Sequence, residues 1–251
     1  MTSIFSRLLL VLMLLGVTYP LHAQEGRVLY EETIKFNIEL TPEMQAMNLD
    51  IPDSRTTKRE LWFTPDAMLY RDAPDTTATA ERTLQTRDGR VVRRRNRGPG
   101  PIVFIDQETG LQTVQRSLMG RTFRIEDEME TLAWKWTDER STFLGYLCQK
   151  ATAQRDSTTF EAWFTPEIPV SAGPGYSGLP GLIMVLSVND GQRSYVAKEM
   201  DLAPVDPDLL QAPSEGRAMT REEFEAMRDE RLREMESRRG RNGRRFIRAR
   251  P

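Results

Sequence analysis

The sequence predicts a mainly β protein: a single antiparallel, curved sheet or open barrel-like domain with a C-terminal helix. Three observations predict it. Short segments of alternating apolar and polar residues recur along the 251 residues, the period of strands with one buried face. Turn residues separate these segments, above all Asn189-Asp190-Gly191 between two apolar-rich runs. A capping box, Thr220-Arg221-Glu222-Glu223, stands near the end of the chain, where a threonine hydroxyl accepts from the third amide and the glutamate reaches back.

Taken in order, Gly26 to Leu40 reads as a strand, with Ile34, Phe36 and Ile38 alternating with polar residues. Thr41-Pro42 reads as a helix start, the proline sitting where an amide is not needed. Thr56 to Phe63 and Ala67 to Arg71 read as strands. Ala73 to Arg82, rich in threonine and alanine, reads as an exposed loop, and Arg90 to Pro101 as a basic segment broken by glycine and proline. Ile102 to Asp106 is a short strand followed by a turn at Glu108-Thr109-Gly110. Leu111 to Leu118 and Gly120 to Ile125 make a pair.

In the second half, Leu132, Trp134 and Trp136 lie two apart, the spacing of one strand face. Thr142 to Gln154 reads as one strand, with Tyr146 and Cys148 on one face and Leu147 and Gln149 on the other. Thr158 to Phe164 follows, and then Leu182 to Val188 and Ser194 to Leu202 form a hairpin across Asn189-Asp190-Gly191. Pro204, Pro207 and Pro213 end the sheet. The helix opened by Thr220 carries Phe224, Met227, Leu232 and Met235 on one stripe. The total is roughly ten strands. The resulting division is a leader over 1–23, a β-rich domain over 24–213, a helix over 214–237 and an Arg-rich disordered tail over 238–251.

The leader has the form of a cleaved export signal. Arg7 precedes the apolar run Leu8 to Val17, and Leu21-His22-Ala23 offers a small residue at the cut. The run is shorter than the roughly 20 residues a spanning helix needs, and no later stretch is long enough. The sequence therefore predicts an exported, periplasmic or extracellular chain with no transmembrane segment after cleavage. Cleavage also removes His22, the only histidine. Histidine-based triads, histidine general bases and His-ligated zinc are then excluded from the mature chain. Loss of Arg7 takes the formal charge from −2 to −3, which makes no strong case for nucleic acid; the basic character is confined to Arg93-Arg94-Arg95, Arg97 and the tail. With Cys148 as the single cysteine, no internal disulfide can form.

The densest patterning lies after Ala162-Trp163-Phe164-Thr165-Pro166-Glu167-Ile168-Pro169. There Gly173, Pro174, Gly175, Gly178, Pro180 and Gly181 alternate positive-φ freedom with fixed φ and specify a stiff loop. The stretch Gly178-Leu179-Pro180-Gly181-Leu182-Ile183 resembles the signature of the GLPGLI family of secreted Bacteroidetes-type proteins. Gly26 to Tyr30, Trp134-Lys135-Trp136, Gly145 to Ala151 and Thr220 to Phe224 resemble that family in the same order. The resemblance implies an exported envelope protein of unassigned activity. The first strand of this region also echoes an earlier one, Glu60-Leu61-Trp62-Phe63-Thr64-Pro65-Asp66 against Glu161 to Glu167, either a duplication or one way of leaving a sheet used twice.

Candidate chemistry is sparse. Cys148 with Lys150 two residues on could form a lowered-pKa thiol, but its residues read better as a small buried hydrophobe. Met44, Met47, Met68, Met119 and Met129 lack the clustering a soft-metal site needs, and no metal or cofactor site is predicted. The acidic run Glu126, Asp127, Glu128 and Glu130, and Glu161 with Glu167, offer carboxylates whose separation the sequence does not fix. The aromatic residues carry more: Trp163, Tyr176, Trp134 and Trp136 are the candidate ligand-binding set, with Trp62 alongside, since a concave sheet could present them to an apolar or peptide ligand. Gly173, Pro174, Gly178, Pro180 and Gly181 are expected to be architectural. The function expected is an exported envelope binding or accessory protein, without enzyme activity, whose partner is an envelope protein, peptide or lipid. Its alternatives are a carboxylate-dependent envelope hydrolase and a subunit docking through the C-terminal helix.

Overall fold

The computed structural model describes residues 25–36, 53–74, 83–85, 91–93, 99–129 and 131–248. The leader, the helix start at Thr41 and most of the loop expected over 73–82 lie outside them. Twelve strands form one open sheet, running Gly26–Lys35 (β1), Ser54–Phe63 (β2), Ala67–Asp72 (β3), Ile102–Asp106 (β6), Leu111–Leu118 (β7), Arg121–Glu128 (β8), Lys135–Phe143 (β9), Tyr146–Arg155 (β10), Thr158–Thr165 (β11), Leu182–Val188 (β12), Arg193–Asp201 (β13) and Arg217–Met219 (β14). Thr83–Gln85 (β4) and Val91–Arg93 (β5) form a separate two-stranded ribbon. The sheet order is β14-β8-β7-β6-β3-β2-β1-β13-β12-β11-β10-β9. Every pairing is antiparallel except β14 beside β8. A helix, Arg221–Arg248 (α1), follows. Mainly β, open and ending in one helix, this is the fold class the sequence predicts.

The differences have local causes. The single strand expected over 142–154 is a hairpin, because Leu144 and Gly145 both take positive φ (50° and 88°) and reverse the chain. Such a two-residue loop demands that backbone, and leucine is a residue that conceals it. Leu132 and Trp134 precede β9 in irregular backbone, so only Trp136 of that trio is on a strand. β8 runs on through Glu128, since acids on its exposed face leave the alternation intact. Ala73, assigned to an exposed loop, is buried at the end of β3. Of the ribbon, β5 falls inside the segment read as basic, and β4 falls between it and the loop read over 73–82, where the sequence suggested no element. Helix α1 continues through Arg248, past the boundary at Ser237 expected from composition; arginine is among the good helix formers. Its capping box forms as expected, with Thr220 N donating to Glu223 Oε2 (3.0 Å) and Glu223 N to Thr220 Oγ1 (3.2 Å).

One face of the sheet is the inner one. Val28 and Tyr30, Leu61 and Phe63, Met68 and Tyr70, Phe160, Ala162 and Phe164, and Tyr195 and Ala197 point to a common core. The two copies of Thr-Pro-acid leave the sheet by related means: the Thr64 hydroxyl accepts from Ala67 N and the Thr165 hydroxyl from Glu167 N.

The core is completed by the loop over 166–181. Ile168, Val170, Ala172 and Leu179 are buried, and a Cβ on Gly175 would lie within 3.9 Å of Val103 and Tyr70. The loop leaves β11, yet β3 and β6 stand five and six places away in the sheet. At about 4.8 Å per strand that is well over roughly 20 Å along the sheet. Contact is possible only because the sheet curls around the loop. At the other end, Phe224 and Met227 of α1 pack on Phe123 and Ile125.

Candidate functional site

The Gly-Pro loop is held from within. A Cβ on Gly181 would meet the Thr165 carbonyl oxygen at 2.1 Å, and one on Gly173 would meet Ile183 Cδ1 at 2.7 Å. Gly178 has φ of 96°, and its amide donates to Ser171 Oγ (2.7 Å). The Tyr30 hydroxyl, far from its loop neighbours in sequence, donates to the Ile183 carbonyl. Leu179, Leu182 and Ile183 are buried. The hexapeptide at 178–183 is thus a packed corner, and its conformation positions Tyr176 and Ser177.

The four candidate aromatic residues do not form one site. Trp134 packs over Gly178, donates from Nε1 to the Ser177 carbonyl (3.3 Å) and meets Phe160 edge-on at 6.5 Å. Tyr176 lies against the same Phe160, at 5.4 Å. Trp136 faces the inner side opposite Ala151, 59% exposed and tilted over Phe164. Trp163 alternates with Ala162 and Phe164 and therefore faces the other way. There it stacks with Phe143 and lies under Lys150 Nζ at 5.8 Å. Pairing Trp163 with Tyr176 as one binding surface is corrected by this parity. Trp134, Tyr176 and Phe160 form an inner aromatic wall, with Trp136 beyond it at the sheet edge.

Cys148 is fully buried, and burial pushes its thiol up to about 11. Lys150 shares its strand face, but its ammonium bridges Glu139 (3.2 Å) and Glu161 (3.1 Å). The thiol is inert packing.

A second cluster, on the inner face, escaped the sequence reading. Tyr30, Tyr70 and Tyr195 stack edge-on at 6.2 and 6.3 Å. Arg59 lies over the Tyr70 ring at 4.6 Å, donates to Asp72 Oδ1 (2.7 Å) and to the Pro101 carbonyl, and is 2% exposed. The Tyr70 hydroxyl and Arg59 Nε are buried and make no hydrogen bond among the described residues. Burial drives the Tyr70 and Tyr195 phenols well above the ordinary range, so both are neutral donors. Beyond the tyrosines the inner face ends in arginines: Arg116 two residues after Val114, Arg155 two after Ala153, Arg193 two before Tyr195. Each occupies a core-facing register at a strand end. Parity was the signal in the sequence; these arginines are scattered, and attention to contiguous basic runs passes over them.

A family model described as "Protein of unknown function (Porph_ging)" matches residues 153–185, the stretch from the end of β10 through the hexapeptide into β12. No curated protein matches the chain. Among solved structures, PNGF-II in its P21 and C2 crystal forms is similar, with TM-scores of 0.52 and 0.53 at 16% identity. The likeness covers 82% of this chain and 33% and 32% of those chains. The chain thus spans about a third of the length of the PNGF-II chains it matches. The chain is thus similar over residues 153–185 to a family of unknown function, and in fold to part of PNGF-II.

Proposed function

We propose that this is an exported binding or accessory protein of the cell envelope, without catalytic activity, that holds its ligand on the inner face of the open sheet. The observation that carries the reading is the joining there, through the Gly175 turn, of half-buried Trp134 and Tyr176, packed on the buried Phe160, to a tyrosine floor where the Tyr70 hydroxyl and the adjoining Arg59 Nε are unpartnered buried donors. Such donors are costly unless something satisfies them. Four of the carboxylates considered for hydrolysis have structural partners: Glu126 pairs with Arg124, Asp127 faces Arg221, Glu161 holds Lys150, and Glu167 accepts from Leu147 N.

The test is recovery of the full-length mature protein from its native envelope, followed by mass spectrometry of what co-purifies. A specific small molecule or peptide retained by the wild type and lost on Tyr176→Ala, with unchanged thermal unfolding, is the expected result. Recovery of nothing above a mock purification would overturn the proposal.

A further inference from the structure

Helix α1 outruns its seat on the sheet. Phe224, 3% exposed, and Met227 pack on Phe123 and Ile125. Arg221 Nη2 donates to Gln112 Oε1 (2.8 Å), and Arg221 Nε lies 3.8 Å from Asp127 Oδ2. These anchors all belong to the first two turns. From Arg228 onward, the hydrogen bonds and ion pairs of the described residues are internal to the helix: Arg228 with Asp229 (3.0 Å), Arg231 with Glu234 (3.0 Å), and Ser237 Oγ with the Glu234 carbonyl (2.8 Å). The helix nevertheless continues to Arg248, about 30 Å beyond Arg228 at roughly 1.5 Å per residue.

The apolar residues of α1 do not stop where its contact with the sheet stops. Leu232 and Met235 are 50% and 52% exposed. Phe224, Met235 and Phe246 recur at intervals of eleven residues, a spacing of three helical turns. Charge is divided along the same helix. Its acids all stand at or before Glu236, whereas Arg238 to Arg248 contains six arginines and no acid. The helix dipole favours cations within the last turn only. It does not account for Arg238, Arg239, Arg241 and Arg244, which precede that turn.

We infer that the distal half of α1 attaches this protein to an anionic lipid surface, along which it lies as an interfacial helix. Arginines without acids, in a helix that also carries Leu232, Met235 and Phe246, match a layer that is anionic at its surface and apolar just beneath. A nucleic acid or a sulfated sugar would engage the arginines and leave the apolar residues in water. Attachment of this kind is peripheral; among the described residues no helix is long and apolar enough to cross a membrane. The attachment is independent of the ligand proposed for the inner face. Each arginine brought to an anionic leaflet strengthens attachment about fivefold, and salt weakens it.

The test is co-sedimentation of the full-length mature protein with vesicles of equimolar phosphatidylglycerol and phosphatidylethanolamine, phosphatidylcholine vesicles serving as control. Partition into the anionic vesicles alone is expected, weakening at least tenfold between about 0.1 and 0.5 M salt. Arg244→Gln combined with Arg245→Gln should weaken it about 25-fold. The corresponding pair of lysine substitutions, which keeps the charge, should hold it within about threefold. Phe246→Ser, which leaves the charge unchanged, should weaken it at least about tenfold. All three changes lie beyond the seat on Phe123 and Ile125, so thermal unfolding should not move. Tyr176→Ala should leave partition unchanged, which lets this inference and the inner-face role fail separately. Equal partition into both kinds of vesicle, or partition indifferent to the glutamine pair, would overturn the inference. Heparin or DNA binding that survives Phe246→Ser, without vesicle binding, would overturn it in favour of a soluble polyanion. A concentration-dependent dimer in analytical ultracentrifugation that Leu232→Ser abolishes, again without vesicle binding, would overturn it in favour of a second copy of this chain.

Discussion

Gly181→Val is the sharpest perturbation of the loop on which the inner face depends. The first added carbon would sit 2.1 Å from the Thr165 carbonyl oxygen, 2.7 Å from its carbon and 3.1 Å from Pro166 Cα. All three are backbone atoms, so no rotamer change relieves the clash. Carbon and oxygen in close non-bonded contact stand about 3.3–3.6 Å apart, so one segment must move by more than about 1 Å. Thr165 is opposite Leu182 in the β11–β12 ladder, and Leu182 N donates to the Ile168 carbonyl at 3.0 Å. Overpacking costs about 1–3 kcal/mol, and each backbone hydrogen bond displaced adds about 1 kcal/mol. A loss near 4 kcal/mol follows. With a urea slope of about 2 kcal/mol per molar, the unfolding midpoint should fall by about 2 M, read by tryptophan fluorescence. Gly178→Ala is the contrast: its Cβ has room, 3.7 Å from Trp134, but φ of 96° is unfavourable for alanine, so about 1–2 kcal/mol should be lost. If Gly181→Val shifts the midpoint by less than about 0.5 M, the packed-corner account of the hexapeptide is wrong.

Three further outcomes are expected. Tyr30→Phe removes a buried donor from the Ile183 carbonyl and should cost about 1–2 kcal/mol in urea denaturation, with secondary structure by circular dichroism unchanged. The Cys148 thiol, raised to about 11, is protonated at pH 8 with a thiolate fraction of about one in a thousand. Ellman's reagent should therefore leave the folded protein unmodified for an hour and titrate one thiol once urea unfolds it; rapid reaction in the folded state would contradict the burial. Phe224→Ala uncovers Phe123 and Ile125 and should cost about 3 kcal/mol, with lost ellipticity at 222 nm as α1 detaches. An unchanged urea midpoint would mean that α1 is not docked.

Legibility in the sequence varied with the range of the interaction. The hairpin at 189–191, the capping box at Thr220 and the alternation of β1, β2 and β11 are local, and local chemistry decides them. The Leu144-Gly145 turn was not legible, because leucine there is tolerated only by virtue of the strands it joins. Nor was β14, three residues long and paired in parallel with a strand about ninety residues earlier. For the candidate site, the aromatic residues were recognisable as a set while their division between two faces was not. Trp163 and Trp134 belong to different elements, and only the pairing register says which side each takes.

By itself the sequence determined a mainly β chain with a terminal helix and a rigid Gly-Pro loop, and led to the expectation of a leader that takes the only histidine with it and of a cysteine better suited to packing than to reaction. All of these follow from residue identity and spacing within a few positions. Tertiary structure alone decided that the loop fills the inside of the sheet and that Phe224 of α1 docks on Phe123 and Ile125. The reason is curvature. Strand alternation fixes which side each residue takes, but the accumulated twist and coil of the sheet decides how a loop leaving β11 comes to lie on β3, five places away.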